Sequence, residues 1–244
     1  MSKSVGAQYL ANPWPNSPLL VVSVLSLMVA VDAGAQTASV TLEEWKPTTS
    51  FSGPRTSHGT LLVRNRLYVL GGLSFINNNL TIYSDVQLAA LGNDGQITAP
   101  GWERAEPFDI GRSGLGVAAS KDVVYVVGGY TLQGTLGDVQ YARIDVDGRL
   151  GKWTSSPNKL NVARSNHRLE VVTTQSGERY LMAIGGVDQV GQDTVHFDHI
   201  EVAPVADDGS VGAWKLCPYH FKGGRSAPGT AIVQGQLYII GGWG

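Results

Sequence analysis

Apolar positions along this chain come in short bursts rather than on long helical faces. Four bursts nearly repeat one another: LYVLGG (Leu67 to Gly72), VYVVGG (Val124 to Gly129), LMAIGG (Leu181 to Gly186) and LYIIGG (Leu237 to Gly242). Short runs of aliphatic, β-branched and aromatic residues closed by Gly-Gly predict strands buried on one or both faces, with the glycines admitting a close backbone approach. A second set of bursts follows the first three pairs: VQLAAL from Val86, VQYARI from Val139 and IEVAPV from Ile200. Each leads to Asp-Gly (Asp94-Gly95, Asp147-Gly148, Asp208-Gly209) and then to a tryptophan (Trp102, Trp153, Trp214). Asp-Gly predicts a type I′ hairpin turn joining a third strand to a fourth. The tryptophan gives the fourth strand a broad apolar plate for a neighbour to pack on.

The pattern is periodic. The Gly-Gly pairs begin at Gly71, Gly128, Gly185 and Gly241, spacings of 57, 57 and 56 residues. An arginine opens each unit: Arg55 (RTSHGTLLV), Arg112 (RSGLGVAAS), Arg164 (RSNHRLEVV) and Arg225 (RSAPGTAIV). One unit therefore reads as four short strands. Such a unit cannot bury both faces alone, so successive units must stack. Composition agrees, since glycine at 31 of 244 residues is roughly twice its usual share of about 7%.

These landmarks, recurring together in one order from about Val40 to Gly244, resemble the kelch-type β-propeller. The chain departs from that pattern in two respects. The tyrosine common shortly after Gly-Gly occurs only as Tyr130, and the unit exceeds the usual length of about 50 residues. The resemblance implies an all-β fold of four-stranded antiparallel blades, three whole (55–106, 112–156, 164–217) and one partial (225–244). Leu42-Glu43-Glu44-Trp45 matches LGKW at 150–153 and VGAW at 211–214, which predicts an N-terminal closing strand at 40–46. The fourth unit stops after its second strand, so a continuation is expected to begin with a loop and a strand resembling DVQYARI. The resemblance also implies that first strands line a channel. The loops at Leu73 to Tyr83, Tyr130 to Gly137 and Val187 to Asp198 would then share one binding face.

The N-terminus differs. Leu19 to Val31 is an uncharged, largely apolar run of thirteen residues, too short for a membrane span of about 20 residues, and Ala33-Gly34-Ala35 follows as an A-x-A cleavage pattern. A secretory signal at 1–35 is expected, giving a secreted or periplasmic protein with no stable membrane span after cleavage. Eighteen basic and twenty acidic residues give a formal charge of -2 without a basic run, which argues against nucleic acid as a partner. A single cysteine, Cys217, excludes an internal disulfide.

Candidate chemistry is sparse. Arg55, Arg112, Arg164 and Arg225, with His58 and His167 at Arg-x-x-His spacing, would bind carboxylates or an anionic sugar if they ring a channel mouth. Otherwise each arginine holds the loops of its own or the next unit. DTVHFDH (Asp193 to His199) is a metal candidate through His196 and His199. Residues three apart point to opposite faces of a strand, however, so only a loop would join them. The Asp-Gly turns lack the later carboxylates of a calcium loop, and Asn79-Leu80-Thr81 is a glycosylation sequon. No G-x-S-x-G, HExxH or P-loop occurs, and no cofactor is implied. The expected role is a scaffold that binds a protein or glycan on its loop face. The alternatives are a carbohydrate-active propeller enzyme of epimerase, lyase or oxidase type, or a truncated fragment without activity.

Overall fold

A computed structural model describes residues 9–10, 19–20, 47–190 and 193–244. The predicted leader at 1–35, apart from residues 9–10 and 19–20, and the predicted strand at 40–46 lie outside the described residues. Strands β1 (Tyr9–Leu10) and β2 (Leu19–Leu20) pair antiparallel. The described residues contain no helix, hence none long and apolar enough to cross a membrane.

The first repeat unit contributes β3 (Gly59–Val63), β4 (Arg66–Leu70), β5 (Leu73–Ile76), β6 (Asn79–Ile82), β7 (Val86–Ala90) and β8 (Glu103–Ala105). Its antiparallel sheet has the order β3-β4-β7-β8, with β5-β6 a separate hairpin inserted after Gly-Gly. The second unit forms β9 (Gly116–Ser120), β10 (Val123–Thr131), β11 (Gly134–Arg143) and β12 (Thr154–Ser155). Here the inserted hairpin is continuous with β10 and β11 through an irregularity between Val127 and Gly129. The third unit comprises β13 (Arg168–Thr173), β14 (Arg179–Ile184), β15 (Val187–Val190), β16 (Asp193–His196), β17 (His199–Val205) and β18 (Lys215–His220). Its sheet runs β13-β14-β17-β18 beside the hairpin β15-β16. The fourth has β19 (Gly229–Val233) and β20 (Gln236–Ile240), paired with each other.

The core lies between sheets, because the second strands β4, β10 and β14 bury residues on both faces. Val123, Tyr125 and Val127 of β10 pack towards unit 3, against Leu169, Leu181, Ala203 and Trp214. Val124 and Val126 turn the other way, towards Tyr68, Leu70 and Leu88 of unit 1. This period-two division explains why VYVV reads as an unbroken apolar run. A third cluster joins Ile184, Ile200 and Phe221 to Leu237 and Ile239 of unit 4. First strands β3, β9 and β13 stand side by side, and Gly59 and Gly116 lie at their close approaches. A Cβ at Gly116 would sit 2.3 Å from His167 Nε2.

Main-chain bonds tie the units in series. The residues two after each arginine, Ser57, Gly114, Asn166 and Ala227, are all left-handed, with φ of 52°, 59°, 50° and 49°. In that conformation Gly114 N–H donates to Ser57 O (2.8 Å), Asn166 N–H to Gly114 O (2.7 Å) and Ala227 N–H to Asn166 O (2.6 Å). The three bonds form an arc across all four units. Among the described residues no hydrogen bond joins unit 4 back to unit 1.

The Asp-Gly turns differ from expectation. In each, only the glycine has positive φ (Gly95 76°, Gly148 79°, Gly209 85°). The pattern Gly95 N→Gly92 O with Gly92 N→Gln96 O, and its counterparts at 145–149 and 206–210, is a three-residue loop: a type I turn followed by a left-handed glycine. The aspartates stay in ordinary φ because the third loop residue already supplies the reversal. Two-residue turns with positive φ at both positions occur instead at Arg64-Asn65, Asn77-Asn78 and Gln234-Gly235. Trp102, Trp153 and Trp214 stand immediately before the fourth strands rather than within them.

Candidate functional site

The four arginines share one local design. Each donates from Nη1 to the first carbonyl of its own Gly-Gly pair: Arg55 to Gly71 O (3.0 Å), Arg112 to Gly128 O (3.1 Å), Arg164 to Gly185 O (2.8 Å) and Arg225 to Gly241 O (3.0 Å). In the first three, Nε also donates to the carbonyl two residues earlier, which curls the guanidinium back over its own turn. An aromatic ring covers each: Tyr83 at 3.9 Å, Phe108 at 5.6 Å and Phe197 at 5.1 Å from the guanidinium carbon.

A carboxylate from the third strand completes the clamp. Arg55 grips Asp85 with both Nη atoms (2.6 and 3.1 Å), and Arg112 grips Asp138 likewise (2.5 and 2.9 Å). Burial opposes ionisation of Asp85 and Asp138. Hydrogen bonds from the arginines outweigh it, so both carboxyls are held below their ordinary range. The glutamine two residues on braces the same turn. Gln87 Oε1 accepts Ser52 N–H (2.8 Å) and Gln140 Oε1 accepts Asp109 N–H (3.2 Å).

Unit 3 reaches the same end differently, having His199-Ile200-Glu201 where the others have Asp-Val-Gln. Glu201 takes over both duties. Its Oε1 binds Arg164 Nη2 at 2.6 Å, and its Oε2 accepts Asn161 N–H at 2.7 Å. Neither Arg164 nor Glu201 has any exposed side-chain surface. Positions i and i+2 share one face of a strand, so the carboxylate moves without leaving the site.

Three of the four arginines predicted as ligand contacts, Arg55, Arg112 and Arg164, are therefore spent inside the protein. Arg55 uses all five of its N–H donors on protein acceptors, and the side chains of Arg112 and Arg164 are fully buried. Arg225, half-buried, has no carboxylate partner among the described residues. His58 packs against Phe51 with ring centroids 5.6 Å apart, and burial, then the Arg55 charge, lowers its pKa. His167 is buried, with only 6% of its surface exposed. Burial, reinforced by the Arg164 cation, pushes its pKa down to about 3, and neither ring nitrogen has a hydrogen-bond partner. The Arg164 carbonyl lies near enough to favour the charged ring slightly, but outside hydrogen-bond geometry. A cavity of about 300 Å³ runs along β3, β9 and β13 beside these two histidines. A wider opening of about 680 Å³ lies at the turns joining β13 to β14 and β17 to β18. There Arg179 is already held by Ser120, Ala206 and Asp207.

His196 and His199 do not come together on one ion. The group whose donor atoms lie within 4.8 Å of one another is Asp198, His199 and His220. His220 was not legible as a member, because its place opposite His199 depends on the β17–β18 register. His220 Nδ1 lies 2.8 Å from Asp198 Oδ1, and His199 Nδ1 lies 3.6 Å from it. Arg164 Nη2 stands 2.9 Å from His199 Nε2. Arginine only donates, so Nε2 accepts and Nδ1 carries the ring proton. A metal on Nδ1 would turn an N–H against the guanidinium. The arrangement as built is two hydrogen-bonded pairs, Arg164 with His199 and His220 with Asp198, whose His199 Nδ1 and Asp198 Oδ1 lie near each other but beyond hydrogen-bond distance.

No protein-family model matches the chain. Over 190 residues it is 27% identical to the human kelch repeat and BTB domain-containing protein 12, an alignment covering 74% of this chain and 29% of that protein. The similarity is thus to a kelch-repeat protein of which this chain spans less than a third.

Proposed function

We propose that the stacked sheets are blades of a kelch-like β-propeller and that the chain is an exported scaffold binding a protein on its hairpin face. The serial four-stranded sheets, the neighbouring first strands and the likeness to a kelch-repeat protein support the fold. The apolar run and Ala33-Gly34-Ala35 support export.

One observation carries the binding role. The hairpins inserted after Gly-Gly expose large apolar residues at the same end of each sheet: Phe75 (66%), Leu132 (67%) and Val190 (59%), with Ile76, Leu80 and Val195 around them. Nothing in the fold needs these side chains outside. An exposed apolar set on short, tightly turned hairpins suits a protein surface. A glycan site would instead want free polar donors, and those of Arg55, Arg112 and Arg164 are engaged internally. Immobilised chain should capture a defined partner, and Phe75→Asp with Leu132→Asp should abolish capture without lowering the melting temperature. Unchanged capture by that double variant, or saturable glycan binding that it leaves intact, would refute the reading. N-terminal sequencing of the exported product should begin at Gln36.

A further inference from the structure

Asn79-Leu80-Thr81 is the only Asn-x-Ser or Asn-x-Thr triplet in the chain, and the fold sets it at the tip of the first inserted hairpin. Asn77 and Asn78 make the two-residue turn between β5 and β6, both at positive φ (52° and 63°). Asn79 then opens β6, directly opposite Ile76. Asn79, Leu80 and Thr81 are all exposed. Neither the Asn79 amide nor the Thr81 hydroxyl is hydrogen-bonded among the described residues. Directly after the corresponding turns unit 2 has Gly134-Thr135-Leu136 and unit 3 has Asp193-Thr194-Val195. Unit 1 alone therefore offers an asparagine acceptor at this place.

The hairpin has two unlike faces. Side chains alternate along β6, so Asn79 and Thr81 project from one face and Leu80 from the other. Residues opposite one another share a face, which joins Phe75 to Leu80, Ile76 to Asn79 and Ser74 to Thr81. One face thus presents exposed Phe75 and Leu80. The other presents Asn79 beside Ile76 and is rooted by buried Ser74, whose Oγ lies 3.0 Å from Tyr83 Oη.

We propose that Asn79 is an N-glycosylation site, its side-chain amide taking an oligosaccharide from a polyisoprenyl-diphosphate donor. The amide nitrogen bonds to the anomeric carbon as the bond from that carbon to the diphosphate oxygen breaks. The nitrogen gives up one proton, and the lipid diphosphate leaves. The site rests on the export reading, because this transfer takes place across the membrane from the cytosol. An exposed, unbonded acceptor lets the finished fold carry the glycan without losing a contact. The glycan also sharpens the hairpin reading: it covers Ile76 on its own face and leaves Phe75 and Leu80 open, so a protein partner meets hairpin 1 from the Phe75–Leu80 side.

The test expresses the full chain in a eukaryotic secretory cell in two forms, one with its own N-terminus and one behind an added leader of proven export. Secreted chain should carry a single glycan, removed by the amidase that cleaves the bond between asparagine and sugar. Peptide mapping should then read residue 79 as aspartate. Asn79→Gln and Thr81→Ala should each abolish the modification, and Thr81→Ser should retain it. All three variants should melt with the deglycosylated chain, since neither side chain is bonded within the fold. An unmodified Asn79 on chain exported by the added leader overturns the proposal and leaves the protein-binding reading standing. So does a glycan that survives Asn79→Gln. A glycan on the added-leader form, with the other form held unmodified inside the cell, supports Asn79 as acceptor and overturns export instead.

Discussion

His167 makes the protein acid-sensitive through a single buried ring. Its pKa is about 3 in the folded protein against 6.5 when exposed, so the unfolded chain binds the extra proton throughout that window. Stability is then full above pH 6.5 and falls as pH drops towards 3. At 1.36 kcal/mol per pH unit, the 1.5 units between 6.5 and pH 5 cost about 2 kcal/mol. His167→Leu removes the effect, and leucine is what unit 2 carries at the equivalent, buried Leu115. Because both ring nitrogens lack partners, the substitution should be neutral to stabilising at pH 7.5. Urea unfolding of both proteins at pH 7.5, 6.5, 5.5 and 5.0 should give curves that diverge by about 2 kcal/mol at the acid end. His58 and His199, also lowered, act in the same direction but are common to both proteins. Asp85 and Asp138, depressed from 3.8, withdraw stability only as pH falls through and below that value. Parallel curves would refute the reasoning, as would a loss above about 2 kcal/mol at pH 7.5, which would mean the ring has a partner worth keeping.

Other consequences follow from the same contacts. Arg164→Met or Glu201→Gln should each lower unfolding free energy by about 3–5 kcal/mol, because a buried partner is stranded; Arg164→Met with Glu201→Leu should recover much of that loss in urea titrations. Gly116→Ala drives a methyl into the His167 ring and should cost about 1–3 kcal/mol, read as a lower melting temperature. Tyr125, raised to about 12 mainly by burial, should contribute a late step in an ultraviolet alkaline titration that Tyr125→Phe diminishes, Tyr68 being raised by burial as well. The raised Tyr125 value means stability present below pH 10 declines as pH climbs towards 12.

The strand inventory was legible because Gly-Gly, Asp-Gly and tryptophan punctuate it at fixed phase. What stayed hidden was whatever depends on register or on a choice between turn geometries. Asp94-Gly95 reads as a two-residue turn, yet the pair is the end of a three-residue loop, a difference set by where Leu91 and Ile97 meet across the sheet. The arginines were visible as a recurring residue, and their internal use was among the readings weighed. Their acids were not assigned, because Asp85, Asp138 and Glu201 lie 30, 26 and 37 residues away and the last is offset by two positions. His220 was missed for the same reason, being joined to Asp198 only by the pairing of β17 with β18.

That offset explains why unit 3 alone places a histidine against its arginine. An aspartate at the first of the Asp-Val-Gln positions, Asp85 or Asp138, can hold the arginine but cannot also brace the turn before it, so Gln87 and Gln140 are needed in units 1 and 2. A glutamate two residues on has the reach for both, and Glu201 makes both sets of bonds. The first position is then free, and His199 occupies it with Nε2 held by Arg164. Holding Nε2 as acceptor aims the Nδ1 proton at Asp198, which in turn orients half-exposed His220. A frame that closes its arginines in the first three units leaves the apolar hairpin tips at Phe75, Leu132 and Val190 as the exposed variation outside it, where the proposed protein partner would dock.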